Sequence, residues 1–174
     1  MCVPALAGRP NMETGLAPYQ HPQRNEQTLL SLNLDHFSAL VIYVALRARD
    51  PERASRVTES GADIFISMHA NSGGTQNGYL RVGGTSSYYK HAFCRELSAA
   101  IQKRLLEKTG LDDFGNVGAF NYTPIRVVTW MPSMLVEQGF MSNPSDEAKM
   151  LDPAFRAKTA EAVRLGIEDY LAQK

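Results

Sequence analysis

A chain of 174 residues with 44% hydrophobic and 21% charged content is long enough to bury a real core and too apolar to stay largely disordered. Eighteen basic residues balance eighteen acidic ones, for a formal net charge of +0, which gives no general attraction to nucleic acid. No run approaches the roughly 18 apolar residues of a membrane span, the two cysteines, Cys2 and Cys94, form neither a disulfide framework nor a CxxC metal knuckle, and Met1 to Arg9 lack the charged and apolar regions of a secretory signal.

Residues 7–28 are rich in Gly, Pro, Asn and Gln and without period, which predicts a long loop, functional or disordered at that length. Leu29, Leu32, Leu34 and Phe37 suit a weakly amphipathic helix over about 25–40. Val41 to Leu46 reads either as a strand or as its helical continuation. Asp50-Pro51 then pairs an N-cap with proline at the first helical position, and Gly61 is a fitting stop.

Ile64, Phe65, Ile66 and Met68 form a nearly unbroken apolar stretch, as in a strand covered by helices on both faces. It ends abruptly in His69-Ala70-Asn71 and closes at Gly73-Gly74. From Tyr89 to about Lys108, Phe93, Leu97, Ile101 and Leu105 recur every four residues beside Cys94 and Ala100, specifying a helix with one core-facing stripe. Gly110 terminates it. Ser133 to Phe140 repeats the strand design with Glu137 in place of the imidazole. Asn143-Pro144 and Asp152-Pro153 open a short helix and a longer one, whose stripe runs Phe155, Thr159, Val163, Ile167 and Tyr170 or Leu171. This alternation predicts a single α/β domain over 1–174, with a mostly parallel central sheet flanked by helices on both faces.

Open α/β sheets bind ligands beyond the carboxyl ends of their strands, so His69 and Glu137 are the first candidates to share a site. A glutamate directly after Met134-Leu135-Val136 must either reach water at the strand end or be buried with a partner, because an unpaired buried carboxylate is costly.

Ala62 to Asn71, Met131 to Pro144 and the closing helix from Ala160 to Leu171 resemble the zinc-dependent N-acetylmuramoyl-L-alanine amidases, the amidase 3 family of cell-wall hydrolases. Residues 50–174 match best and 1–49 are atypical. The resemblance implies a zinc ion held by a histidine, a glutamate and a second histidine, with another glutamate as the catalytic residue. His69 matches the second histidine, Glu137 the catalytic glutamate and Glu26, in Asn25-Glu26-Gln27-Thr28-Leu29, the carboxylate ligand. The first histidine has no match: the corresponding stretch reads Leu6-Ala7-Gly8-Arg9-Pro10, and arginine has no lone pair to give a metal. His21 is the substitute ligand considered from the loop, ahead of His36.

The reaction implied is hydrolysis of the amide bond between N-acetylmuramic acid and L-alanine in peptidoglycan. Arg126, in Thr123-Pro124-Ile125-Arg126, matches a position suited to a stem-peptide carboxylate. Asn71 is a candidate to contact substrate, to orient His69 or simply to form a turn. Tyr88 and Tyr89 either line a saccharide or peptide groove or pack a helix. Peptidoglycan is then the partner of a monomeric chain that neither enters a membrane nor binds nucleic acid, acting at the cell wall, in the periplasm or outside the cell. Arg9 motivates an alternative, a non-catalytic peptidoglycan-binding or regulatory protein on an amidase scaffold; a zinc peptidase of related architecture is a third.

Overall fold

A computed structural model of the chain describes residues 41–43, 57–73 and 82–173. Its strands are β1 (Val41–Tyr43), β2 (Phe65–Asn71), β3 (Thr85–Tyr88), β4 (Asp113–Val117) and β5 (Ser133–Phe140). Its helices are α1 (Arg95–Thr109), α2 (Thr123–Val127), α3 (Pro144–Leu151) and α4 (Pro153–Leu171). The sheet order is β1-β2-β5-β3-β4. β1, β2 and β5 run parallel, β3 joins β5 antiparallel, and β4 runs parallel to β3.

The expected α/β class and mostly parallel sheet are therefore present, with one antiparallel junction that the periodicity of the chain does not announce. The expected helix at 25–40, the loop at 7–28, Val44 to Leu46 and the Asp50-Pro51 helix start lie outside the described residues. Within them, residues 57–59 are helical and Gly61 takes φ +66° just before β2, as a helix stop should.

Both faces of β2 and β5 are dry, which is why their sequences read as continuous apolar runs. Ile64, Ile66, Met134 and Val136 pack against Leu97, Ile101 and Leu105 of α1 and Val163 and Ile167 of α4. Phe65 and Leu135 point the opposite way, into a second cluster with Val57, Tyr88, Ile125, Val128 and Met131. Side chains alternate across a strand, so the Phe65 face also carries Ser67 and His69, and the Leu135 face also carries Glu137. The register pairs Ser67 with Leu135 and His69 with Glu137.

The expected stripe on the first long helix needs one correction. Phe93 is 49% exposed, while Cys94 is fully buried. Ala92–Cys94 form a 3₁₀ turn and the α-helix begins only at Arg95; the tighter turn, about three residues per turn, shifts the core-facing position by one residue. Leu97, Ile101 and Leu105 keep their places, and Gly110 closes the helix at φ 63°. The two proline-led helix starts fold as read: Asn143 Oδ1 accepts from the backbone N–H of Ser145 and Asp146, and Asp152 caps Ala154.

Two polar fasteners hold the layers. Buried Asp146, at 5% exposure, accepts from the N–H groups of Gly84 (2.7 Å) and Phe140 (3.1 Å), tying the entry of β3 to the end of β5. On the outer surface Arg104 of α1 forks onto Asp169 of α4, Nε to Oδ2 at 2.6 Å and Nη2 to Oδ1 at 2.8 Å. No helix among the described residues is long and apolar enough to cross a membrane.

The α1–α4 crossing is close enough to be tested. A Cβ added at Gly166 would sit 2.6 Å from Ile101 Cα and 2.9 Å from its N, and backbone atoms cannot swing aside. Gly166→Ala gains about 1 kcal/mol of helix propensity but meets an overpacking cost at or above the top of the usual ~1–3 kcal/mol range. A net loss near 2 kcal/mol should lower Tm by about 4–8 °C in thermal unfolding, and an unchanged Tm would contradict this packing.

Hydrogen bonding from Arg104 holds the Asp169 carboxyl below its ordinary value. A depressed folded pKa gives stability that is complete above the unfolded value of about 3.9 and is lost as pH falls through the folded one. Asp169→Asn should therefore lower Tm modestly at pH 7, and its gap to the parent protein should close on acidification below about pH 4. A gap that widens there would refute the pairing.

Candidate active site

β2 and β5 deliver the two chemically interesting side chains to neighbouring points on one face. His69 stands near the carboxyl end of β2, directly across the ladder from Glu137 of β5. The strands can do this because each arrives through buried residues, three in β2 and four in β5, that fix its depth and register. Past His69 the pairing shifts, with Asn71 opposite Phe140, and the backbone turns out of the sheet.

One nitrogen of the imidazole meets two hydroxyls. Nε2 lies 2.9 Å from Ser67 Oγ and 3.4 Å from Tyr122 Oη. The Tyr122 ring stands edge-on to it, at 89° and 5.3 Å between centroids. Tyr122 comes from an extended residue immediately ahead of α2, whose first turn is set by Pro124. The backbone around the histidine is fixed too, since its carbonyl accepts from Gln138 Nε2 at 3.3 Å.

Glu137 presents the opposite picture. Its carbonyl accepts from Thr85 Oγ1 at 2.8 Å, yet its carboxylate Oε2 is sealed from solvent with no hydrogen-bond partner among the described residues. Burial pushes this carboxyl up to about 7, because the charged form loses more hydration than the neutral one. A carboxyl that exchanges its proton near neutral pH, beside an imidazole, suits acid–base work or a cation.

The other expected residues fall into place unevenly. Asn71 folds its own turn: Oδ1 accepts from Ser72 N–H at 2.8 Å and its carbonyl from Met141 N–H at 2.7 Å. Arg126 is exposed on α2, 3.4 Å from Thr123 Oγ1, and its carbonyl lies 3.0 Å from His91 Nε2; none of these contacts reaches His69 or Glu137. Tyr88 is a core residue, its ring tilted at 43° against Phe120 with centroids 4.5 Å apart, and it takes a hydrogen bond from Ser86. Tyr89 is half-buried against Gly118, where an added Cβ would meet its Oη at 2.7 Å. Glu26, His21, His36 and Arg9 lie outside the described residues. His69 is thus the one expected metal ligand within them, and no group of three His, Cys, Asp or Glu is gathered there.

Ser67 and Tyr122 are site residues that the sequence reading does not single out. Ser67 carries a usable signal, since it sits two positions before His69 on the same strand face. Tyr122 carries none, being 53 residues away in the chain.

Residues 39–169 match the family model described as N-acetylmuramoyl-L-alanine amidase (Amidase_3). Among curated proteins, the chain is 32% identical over 128 residues to YqiI of Bacillus subtilis (strain 168), covering 70% of this chain and 58% of that one. It is 31% identical over 123 residues to the N-acetylmuramoyl-L-alanine amidase LytC of the same organism, covering 68% of this chain and 24% of LytC. It spans less than two thirds of either relative. Among solved structures, the catalytic domain of CwlV, an N-acetylmuramoyl-L-alanine amidase from Bacillus (Paenibacillus) polymyxa var. colistinus, aligns at TM-score 0.64 and 31% identity, over 73% of this chain and 68% of that one. Because the family match runs unbroken through both strand ends that carry His69 and Glu137, the chain belongs to the N-acetylmuramoyl-L-alanine amidase family.

Proposed function

We propose that this chain is a zinc-dependent hydrolase that cleaves the amide bond between N-acetylmuramic acid and L-alanine in peptidoglycan, as one amidase-like domain acting as a monomer at the cell wall, in the periplasm or outside the cell. The observation that carries the reading is Glu137: a sealed carboxylate oxygen with no partner among the described residues, one strand away from an oriented imidazole. Such an oxygen is costly in a merely structural role and useful in a hydrolytic one.

The donor set suits zinc, which takes imidazole nitrogen and carboxylate oxygen readily. His69 would hold the ion together with Glu26, and His21 is the third ligand proposed. The chemistry such an ion supplies when bound is Lewis-acid polarisation and a lowered pKa for water.

The remaining work falls to the chain's own groups. Glu137 accepts a proton from the attacking water at Oε2 and returns it to the departing amine of L-alanine, a cycle for which a carboxyl near 7 is well poised. Its burial between β2 and β3 keeps bulk water from competing for that proton. Ser67 and Tyr122 keep the His69 ring in one orientation. Arg126, with its exposed guanidinium on α2, is the proposed contact for a stem-peptide carboxylate. Asn71, whose Oδ1 is committed to Ser72, has amide N–H donors to offer the substrate.

Purified cell walls treated with the protein should gain free N-terminal L-alanine without new reducing sugar, and metal analysis should find about one zinc per chain. Chelation should abolish the release and added zinc restore it. Wall binding with neither zinc nor turnover would favour the non-catalytic alternative that Arg9 motivates.

Glu137→Gln keeps the shape and removes the proton-transfer group. It should lower kcat by about 10²–10⁴-fold with zinc content unchanged. Loss of the metal in this variant would instead make Glu137 a ligand.

A further inference from the structure

Glu137 is the last regularly paired residue of β5 on both of its sides. Against β2 the register runs evenly as far as His69 opposite Glu137 and then shifts, and against β3 the final pair is Ser86 opposite Glu137. At that point a side chain joins the ladder. Thr85, the first residue of β3, sets its Oγ1 2.8 Å from the Glu137 carbonyl oxygen. The direction of this bond is settled by chemistry, since a carbonyl oxygen only accepts and the hydroxyl must donate.

Thr85 is itself held at both backbone groups. Its N–H donates to the Asp112 carbonyl at 2.9 Å, and its carbonyl accepts from Gln102 Nε2 of α1 at 3.1 Å. The same nitrogen donates to Asp113 Oδ1 at 2.8 Å while Gln102 Oε1 accepts from Ser87 at 2.8 Å, so both ends of the amide are committed. The chain enters β3 through Gly84 at φ +112°, where an added Cβ would lie 2.4 Å from the Asp112 carbonyl oxygen. Thr85 is fully buried, and its β-branched side chain has few rotamers to choose from. The hydroxyl is a donor on a rigid mount.

We infer that Thr85 is a positioning residue for Glu137. Its hydroxyl fixes the peptide plane that follows Glu137 at the place where regular pairing ends, and so sets the depth and aim of the carboxylate. The hydrogen bond stands on the contacts of Thr85; its value for catalysis rests on the hydrolytic reading above. A carboxylate that has to meet both a water and a departing amine tolerates little displacement, because a misplacement of about 1 Å can cost about 10²-fold in rate.

The test separates hydroxyl from methyl and bond from activity. On a soluble N-acetylmuramoyl peptide that begins with L-alanine, Thr85→Val, which keeps the branch and loses the donor, should lower kcat by about 10–100-fold with KM within about twofold. Thr85→Ser, which keeps the donor, should recover kcat to within about threefold of the parent. A kcat within twofold of the parent in Thr85→Val, equal losses in the two variants, or a loss that falls on KM would overturn the positioning role. Independently of turnover, the Glu137 carbonyl ¹³C resonance should move upfield in Thr85→Val and stay in place in Thr85→Ser; an unmoved resonance in Thr85→Val overturns the hydrogen bond and the inference with it. A parent protein without turnover refutes the hydrolytic reading and the catalytic value of Thr85 together, while the carbonyl resonance still decides the bond. Should Thr85→Val fail to fold, Thr85→Cys, whose thiol is a weak donor, is read in its place.

Discussion

The constraint on which everything else depends is the two-residue alternation of β2 and β5, locked in depth by dry packing on both faces. Ile66 and Val136 enter one core and Phe65 and Leu135 the other, so neither strand can slip by one residue without turning its apolar set inside out. That same lock determines where the polar ends go. With Phe65 inward, Ser67 and His69 must follow on its face; with Leu135 inward, Glu137 must follow on its own. The juxtaposition of imidazole and carboxylate is a by-product of core packing, and it needs no direct bond between the two groups.

The site is correspondingly uneven in its polar satisfaction. His69 is held through its ring and its backbone by Ser67, Tyr122 and Gln138, whereas Glu137 Oε2 is sealed and unmet among the described residues. Leaving a buried acceptor without a partner costs about 1–3 kcal/mol, which the flanking structure has to offset. The tight α1–α4 layer beneath the sheet is one place where it does, through the close seating of Gly166 on Ile101 and a dense shared core. Stability and function are thereby divided between the two faces of one sheet.

How much of this is legible in the sequence follows the same division. β2, β5 and the long helices announce themselves, because their burial is apolar and periodic and their starts carry Asn143-Pro144 and Asp152-Pro153. β3 does not, because Thr85, Ser86 and Ser87 are buried polar residues. Gln102 accepts from the Ser87 hydroxyl and donates to the Thr85 carbonyl and to Asp113. A strand satisfied by a helix 15 to 17 residues further along has no local hydrophobic signal, and its antiparallel pairing with β5 leaves no trace in the sequence for the same reason. At the site, His69 and Glu137 are readable as polar ends of apolar strands. Tyr122 is not, since only the fold brings it there, and Glu26 and His21 fall outside the described residues.

The position of β5 in the sheet has a dynamic corollary. It lies between β2 and β3, hydrogen-bonded on both sides, so the Glu137 backbone opens only when the sheet itself comes apart, at a free energy close to that of global unfolding. Tyr122, in contrast, leads into a helix of only five residues, too short to be stable by itself. Its place is secured by Ile125 and Val128, both buried in the second core cluster against which Tyr122 packs. The carboxylate is thus the fixed reference of the site, while the tyrosine owes its place to tertiary packing.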